Sequence, residues 1–154
     1  MTHLKEGDKA PDFQAKNCLG ELISLKDYKG KKLVLYFYPK AMTPGCTAET
    51  VDLATHYELL KEKGFDVLGV SPDPKERQKK FKEKYNVPFS LIPDEEKTII
   101  KLYGVWGLKK LYGREYEGVY RTTFIINEEG FIEHIIKKVK TKDHTHQILS
   151  LYNK

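Results

Sequence analysis

Apolar residues along this chain fall into two rhythms. The unbroken runs LVLYFY (Leu33 to Tyr38) and FDVLGVS (Phe65 to Ser71) have the length and the β-branched and aromatic content of strands buried on both faces. Pro39 ends the first run. Between the two, helical signals extend from about Cys46 to Lys63, and Gly64 supplies a natural stop. That order predicts a strand–helix–strand crossover with the two strands parallel and central. Upstream, Asp12–Ala15 and Leu22–Ser24 flank the turn-like NCLGE, which predicts an N-terminal β-hairpin. Downstream, Asp73-Pro74-Lys75-Glu76 resembles a capping box with proline at the first helical position. A further helix is expected after Asp94, carrying Ile99, Ile100, Leu102 and Tyr103. TTFIIN and FIEHIIKKV flank Glu128-Glu129-Gly130 and predict a closing hairpin, and Asp143 is expected to cap a last helix through Leu151. The sum is an α/β fold with a mixed central sheet flanked by helices.

Length and composition narrow the function classes. At 154 residues the chain is expected to form one domain over residues 1–154. A domain of this size buries about 70% of its unfolded surface, so it needs neither a disulfide nor a metal to hold its core. The net charge of +5 comes from lysines spread along the whole chain. A nucleic-acid binder would concentrate them on one stripe or arm, so no nucleic-acid partner is expected. The densest stretch, KERQKKFKEKY, interleaves Glu76 and Glu83 and reads as a solvated helix face. No run approaches the roughly 18 apolar residues of a membrane span, and MTHLKEGDKAPDFQ carries no secretory signal. Two cysteines make no disulfide framework, and the expected compartment is the reducing cytoplasm.

One of those cysteines stands at a chemically loaded position. In open α/β sheets, reactive groups collect beyond the C-terminal ends of strands, where helix N-termini point. Cys46 follows such a strand, behind Thr-Pro-Gly. With Thr43 as cap and Pro44 as first helical residue, Cys46 falls in the first turn, where unpaired amides and the helix dipole favour a thiolate. The competing reading is a small apolar residue that merely packs. Ionisation alone is a modest device. A free thiol is already a few per cent thiolate at neutral pH, so full ionisation adds only about 30-fold, or about 2 kcal/mol. Larger accelerations need groups that act on the electrophile. Thr43 and the amides of Gly45 and Cys46 are near in sequence, and Arg121 heads the apolar run TTFIIN. That arginine is either an edge cation paired with a carboxylate or a fixed charge beside the sulfur.

Pro39-x-x-x-Thr43-x-x-Cys46 with a remote Arg121 resembles the peroxiredoxins. The strings YFYPKAMTPGCTAE, YGVWG and YRTTFIIN resemble the bacterioferritin-comigratory (Q-type) subfamily in particular, and the likeness runs from about Gly7 to the C-terminus. The resemblance implies a thioredoxin-like fold with an N-terminal hairpin, and reduction of hydrogen peroxide and organic hydroperoxides without metal, flavin or haem. It implies an external thiol such as thioredoxin as reductant, and a monomer or weak dimer. It also implies roles. Cys46 is the peroxidatic cysteine, whose thiolate becomes a sulfenic acid. Thr43 orients the peroxide, Arg121 stabilises the thiolate and the departing oxygen, and the Gly45–Cys46 amides complete the pocket. Pro39 shields the sulfur. Glu49, one helical turn on, is either the acid that positions Arg121 or a plain first-turn glutamate favoured by the dipole.

The chain also departs from that family. Where many Q-type members carry a resolving cysteine five residues after the peroxidatic one, Val51 stands here, and Lys75–Tyr85 has no cysteine either. Cys18, in the N-terminal turn, is the remaining candidate. Bridging needs α-carbons within about 7 Å, and from a hairpin expected far from the pocket it would demand local unfolding or a second subunit. A one-cysteine cycle is therefore expected. Two other readings remain: a non-catalytic thioredoxin-fold binding module, or a peroxide sensor. A disulfide reductase would need a second thiol close to Cys46, and Gly45 to Glu49 offers none. His144 and His146 in KDHTH read as an exposed pair at a helix start rather than as metal ligands. Trp106 either walls the pocket or packs on the body, and Lys109 and Lys110 are expected to face solvent.

Overall fold

Lys32–Phe37 (β3) explains the architecture around it, because both of its faces are buried. Leu33, Leu35 and Phe37 enter one apolar cluster, and Val34 and Tyr36 enter the other, joined by Tyr38 just beyond the strand. The alternation follows from the two-residue period of a strand, and an unbroken apolar run is what a strand covered on both sides requires. The computed structural model describes residues 2–152. In it β3 pairs in parallel with Phe65–Ser71 (β4), which pairs in parallel with Ser90–Pro93 (β5). On its other side β3 pairs antiparallel with Thr122–Ile126 (β8), which pairs antiparallel with Ile132–Ile136 (β9). The five-stranded order is β5-β4-β3-β8-β9, the mixed central sheet that was expected. Gln14–Lys16 (β1) and Leu22–Ser24 (β2) form the N-terminal hairpin, with β1 starting two residues later than its pattern suggested. Among the described residues, no helix is long and apolar enough to cross a membrane.

Helices cover the sheet, and here local reading met its limits. The stretch expected as one helix from Cys46 to Lys63 is two, Pro44–Thr55 (α1) and Tyr57–Glu62 (α2). At the joint, His56 Nδ1 lies 2.8 Å from the carbonyl of Asp52 and competes for an acceptor of the helical ladder. Lys75–Lys84 (α3) forms, but not through the expected capping box: Pro74 stands at its cap position. The Asp73 carboxylate is spent elsewhere, accepting from the Ala41 amide at 2.8 Å and from the Ser71 hydroxyl at 2.7 Å. Asp94 does serve Thr98–Leu102 (α4), accepting from the Ile100 amide at 2.8 Å. Asp143 stands before His144–Ser150 (α5) without capping it. The Thr145 amide is taken at 2.6 Å by the carboxylate of Asp52, from α1. A helix start is capped here by another helix, which no local pattern encodes.

Candidate functional site

The site lies where β3 ends and α1 begins. The Ala41–Asp73 bond, together with the Arg77 Nη2 donating to the Ala41 carbonyl at 2.7 Å, fixes the connecting loop to α3. Met42 in that loop takes a left-handed φ of 70°. Pro44 then opens α1 with its ring already set for the helix, and Cys46 is the third helical residue. The amides of Gly45 and Cys46, by their place in the first turn, have no partner within the helix. The Tyr36 hydroxyl lies 2.9 Å from that of Thr50 and pins α1 to the sheet beneath.

Cys46 is fully buried and its thiol is free. Arg121 Nη2 donates to its Sγ at 3.4 Å, while Nη1 donates to Glu49 Oε1 at 2.8 Å. The two readings of Arg121 are therefore both true: one guanidinium serves a carboxylate and the sulfur at once. Glu49 stands in the second turn of α1, not the first, so of its two readings only the grip on the arginine holds. Burial of Glu49 is complete, and desolvation raises its carboxyl to about 7 despite the opposing pull of Arg121. Thr43 takes the cap position without capping: its hydroxyl donates to the Lys40 carbonyl at 2.6 Å and accepts from no helix amide. Its oxygen keeps lone pairs free to accept. Pro39 is half-buried at the end of β3.

Gly45 packs directly against Arg121. A Cβ there would stand 3.1 Å from Arg121 Nη2, so the guanidinium would have to yield by a few tenths of an ångström. We expect Gly45→Ala to slow oxidation of Cys46 by about tenfold, because misplacement of this order erodes alignment. Melting should hold steady or rise, alanine being the better helix former. Stopped-flow rates beside thermal melts check both; an unchanged rate would show that Arg121 tolerates displacement.

Two residues depart from expectation. His144 is not exposed: it is fully buried, 2.8 Å from the Thr123 hydroxyl and 3.5 Å from Glu49 Oε2, and desolvation lowers its ring to about 4. His146 is exposed, as expected. Nothing in KDHTH distinguishes the two, because packing of α5 against α1 decides which is covered. Lys109 is half-buried rather than solvent-facing, and its Nζ donates to the Val119 carbonyl at 3.0 Å. Its charge reaches both Arg121 and Cys46, and burial lowers its pKa. It sits on Trp106–Leu111 (β6), paired with Arg114–Val119 (β7). Trp106 packs against the cluster on the other face of the sheet, with Lys97 over its ring, so packing is the reading that holds.

Cys18 lies in the turn between β1 and β2, as expected, but fully buried against β5, its amide donating to the Leu91 carbonyl at 2.9 Å. Burial raises its thiol, opposed by the charges of Lys82, Lys75 and Lys79. It shares an apolar cluster with Cys46, and no disulfide joins them.

A family model described as the AhpC/TSA family matches residues 6–135. "Peroxiredoxin Bcp" of Bacillus subtilis is 49% identical over 143 residues, 93% of this chain and 91% of that protein. The crystal structure of a cysteine-to-serine mutant of Xylella fastidiosa PrxQ is similar at a TM-score of 0.91 and 28% identity, covering 99% of this chain and 97% of that one. A structure of the Xanthomonas campestris bacterioferritin comigratory protein, whose description concerns alkyl peroxide reduction, matches at 0.83 and 30% identity over 90% and 88% of the chains.

Proposed function

This chain belongs to the AhpC/TSA family and, within it, to the Bcp (Q-type) peroxiredoxins, and from that premise we propose that Cys46 is the sulfur that attacks peroxide. The protein is a thiol-dependent peroxidase with a thioredoxin-like fold. Its substrate is a peroxide and its reductant a thiol. The Cys46 thiolate attacks the distal oxygen of ROOH, the O–O bond breaks, and the electron pair leaves on RO⁻, which takes up a proton to become ROH. The sulfur becomes a sulfenic acid. Arg121, already donating toward Sγ, stabilises the thiolate and then the charge growing on the departing oxygen. Thr43 has committed its proton to Lys40 and so accepts a hydrogen bond from the peroxide O–H, aiming it. The Gly45 and Cys46 amides complete the pocket, Pro39 keeps water from the sulfur, and Glu49 positions Arg121.

The observation that carries this reading is the single guanidinium shared between Cys46 and Glu49 at a helix start. For the rest of the cycle we favour one cysteine. An external thiol such as thioredoxin attacks the sulfenic sulfur and expels water, and a second thiol frees Cys46 as a disulfide leaves. Cys18 stays outside the cycle. The whole chain acts as one unit, a monomer or weak dimer, in the reducing cytoplasm, where two free thiols persist. Intact mass after one equivalent of hydrogen peroxide, with dimedone present, tests this beside Cys46→Ser. One dimedone adduct, absent in the variant, is expected. A mass lower by two hydrogens, without adduct, would assign Cys18 as the resolving thiol. Reaction no faster than that of a free thiol would sink the role of Cys46.

A further inference from the structure

Behind Arg121, away from the sulfur, Glu49 meets a buried histidine that the reaction above does not use. The ring of His144 has its protons assigned by its neighbours. Gln147 Oε1 accepts from the Lys140 amide at 2.9 Å while its Nε2 donates to the Lys138 carbonyl at 2.8 Å, so the side-chain amide has one orientation. His144 Nδ1, 2.9 Å from that same Oε1, must therefore carry a hydrogen. In a neutral ring Nε2 is then an acceptor, and it receives the Thr123 hydroxyl at 2.8 Å. Yet Nε2 also lies 3.5 Å from Glu49 Oε2, a fully buried oxygen with no hydrogen-bond donor. An acceptor facing an ionised carboxylate with no proton between them is a costly buried arrangement. One more proton, on Oε2 or on Nε2, turns the contact into a hydrogen bond once the Thr123 hydroxyl rotates its own hydrogen away from the single site on Nε2.

We propose that Glu49 and His144 hold a single exchangeable proton, and that this proton keeps the charge of Arg121 available to the sulfur of Cys46. With the proton in place the pair is neutral, and the guanidinium faces the sulfur uncompensated. Without it, a full negative charge lies 2.8 Å from Arg121 Nη1 and offsets what the sulfur receives. His144 touches neither sulfur nor pocket and is a positioning residue. The directions agree with the proton lying nearer Glu49, since burial raises the carboxyl to about 7 and lowers the ring to about 4. The other groups facing the pair are Asp52 from α1, which favours the proton on both partners, and Arg121, which opposes it. Tyr36 faces Glu49 from β3, and Lys109 faces Arg121 and Cys46 from β6.

The inference rests on Cys46 as the peroxide-reactive thiol, and two measurements separate the two claims. The rate of Cys46 oxidation by hydrogen peroxide is followed by stopped flow from pH 5.5 to 9 in wild type and His144→Gln. Glutamine offers Oε2 an N–H, so Glu49 is satisfied while ionised and releases its proton at lower pH. The variant should be about tenfold slower at pH 6, where wild type still holds the proton that the variant has released, and within twofold of wild type at pH 8.5, where both have released it. Superimposed profiles, or an equal loss at every pH, would overturn the proposal. The second measurement needs no variant: with ¹⁵N-histidine, the Nε2 resonance of the buried ring should move through neutral pH while Nδ1 stays protonated. An Nε2 shift constant from pH 5.5 to 8.5 would equally overturn it. If wild-type Cys46 reacts no faster than a free thiol, its own assignment fails, and the nitrogen titration still decides the proton.

Discussion

Arg121→Gln is expected to slow oxidation of Cys46 by hydrogen peroxide by about 10²- to 10³-fold, the usual cost of removing one donor aimed at developing charge. Arg121 meets Sγ and Glu49 simultaneously, so the substitution has a second signature. Arg121 is what lowers the Glu49 carboxyl; burial and Asp52 both raise it. Without the guanidinium the folded-state value climbs further above the ordinary 4.5. A carboxyl raised on folding binds a proton that the unfolded chain releases, so stability falls as pH rises through the window between the two values. In wild type that window closes near pH 7; in the variant it extends upward. Urea melts should find the variant close to wild type at pH 6 and about 1–3 kcal/mol further below it at pH 9. A gap equal at both pH values would mean that Glu49 does not depend on Arg121.

Thr43→Val is expected to cost a similar factor, about 10²-fold, with almost no loss of stability. The residue occupies the cap position of α1, and a working threonine cap is worth about 1 kcal/mol. Its hydroxyl, however, is turned to the Lys40 carbonyl and caps nothing. Valine keeps the shape and removes the oxygen that would receive the peroxide proton. Single-turnover rates and chemical denaturation, measured together, separate the two uses of this oxygen. A stability loss near 1 kcal/mol with little change in rate would reverse the assignment. Thr43→Ser, which keeps the hydroxyl, should recover most of the rate.

Strands covered on both faces announce themselves, because burial on each side leaves no polar positions: Leu33 to Tyr38 and Phe65 to Ser71 were legible for that reason. Val34 and Leu35 point opposite ways, yet both had to be apolar. The β6–β7 hairpin is weakly marked in the sequence, although Tyr112-Gly113, with φ values of 51° and 77°, suits a two-residue hairpin turn. Four exposed large hydrophobics, Leu108, Leu111, Tyr112 and Tyr116, blurred the contrast between its faces. β5 is only four residues long, and its place beside β4 depends on pairing rather than on pattern. The split between α1 and α2 and the cap on α5 both involve Asp52, whose carbonyl meets His56 and whose carboxylate meets Thr145.

For the site the division is sharper. Thr43, Pro44, Gly45 and Cys46 are consecutive, and the backbone geometry of a helix start acts within a single turn. The sequence by itself therefore determined where the sulfur stands and which amides surround it. Arg121 lies 75 residues away from Cys46, and its motif singled it out without saying that one guanidinium would hold both sulfur and carboxylate. That arrangement came from the register of β8 against β3. Nothing in the sequence marked His144 as buried or as a neighbour of Glu49. Only the packing of α5 on α1 brought it to Glu49, and only the burial that packing creates turns an ordinary glutamate and an ordinary histidine into a pair that must share a proton. Short-range backbone geometry is written residue by residue, whereas desolvation belongs to the assembled fold.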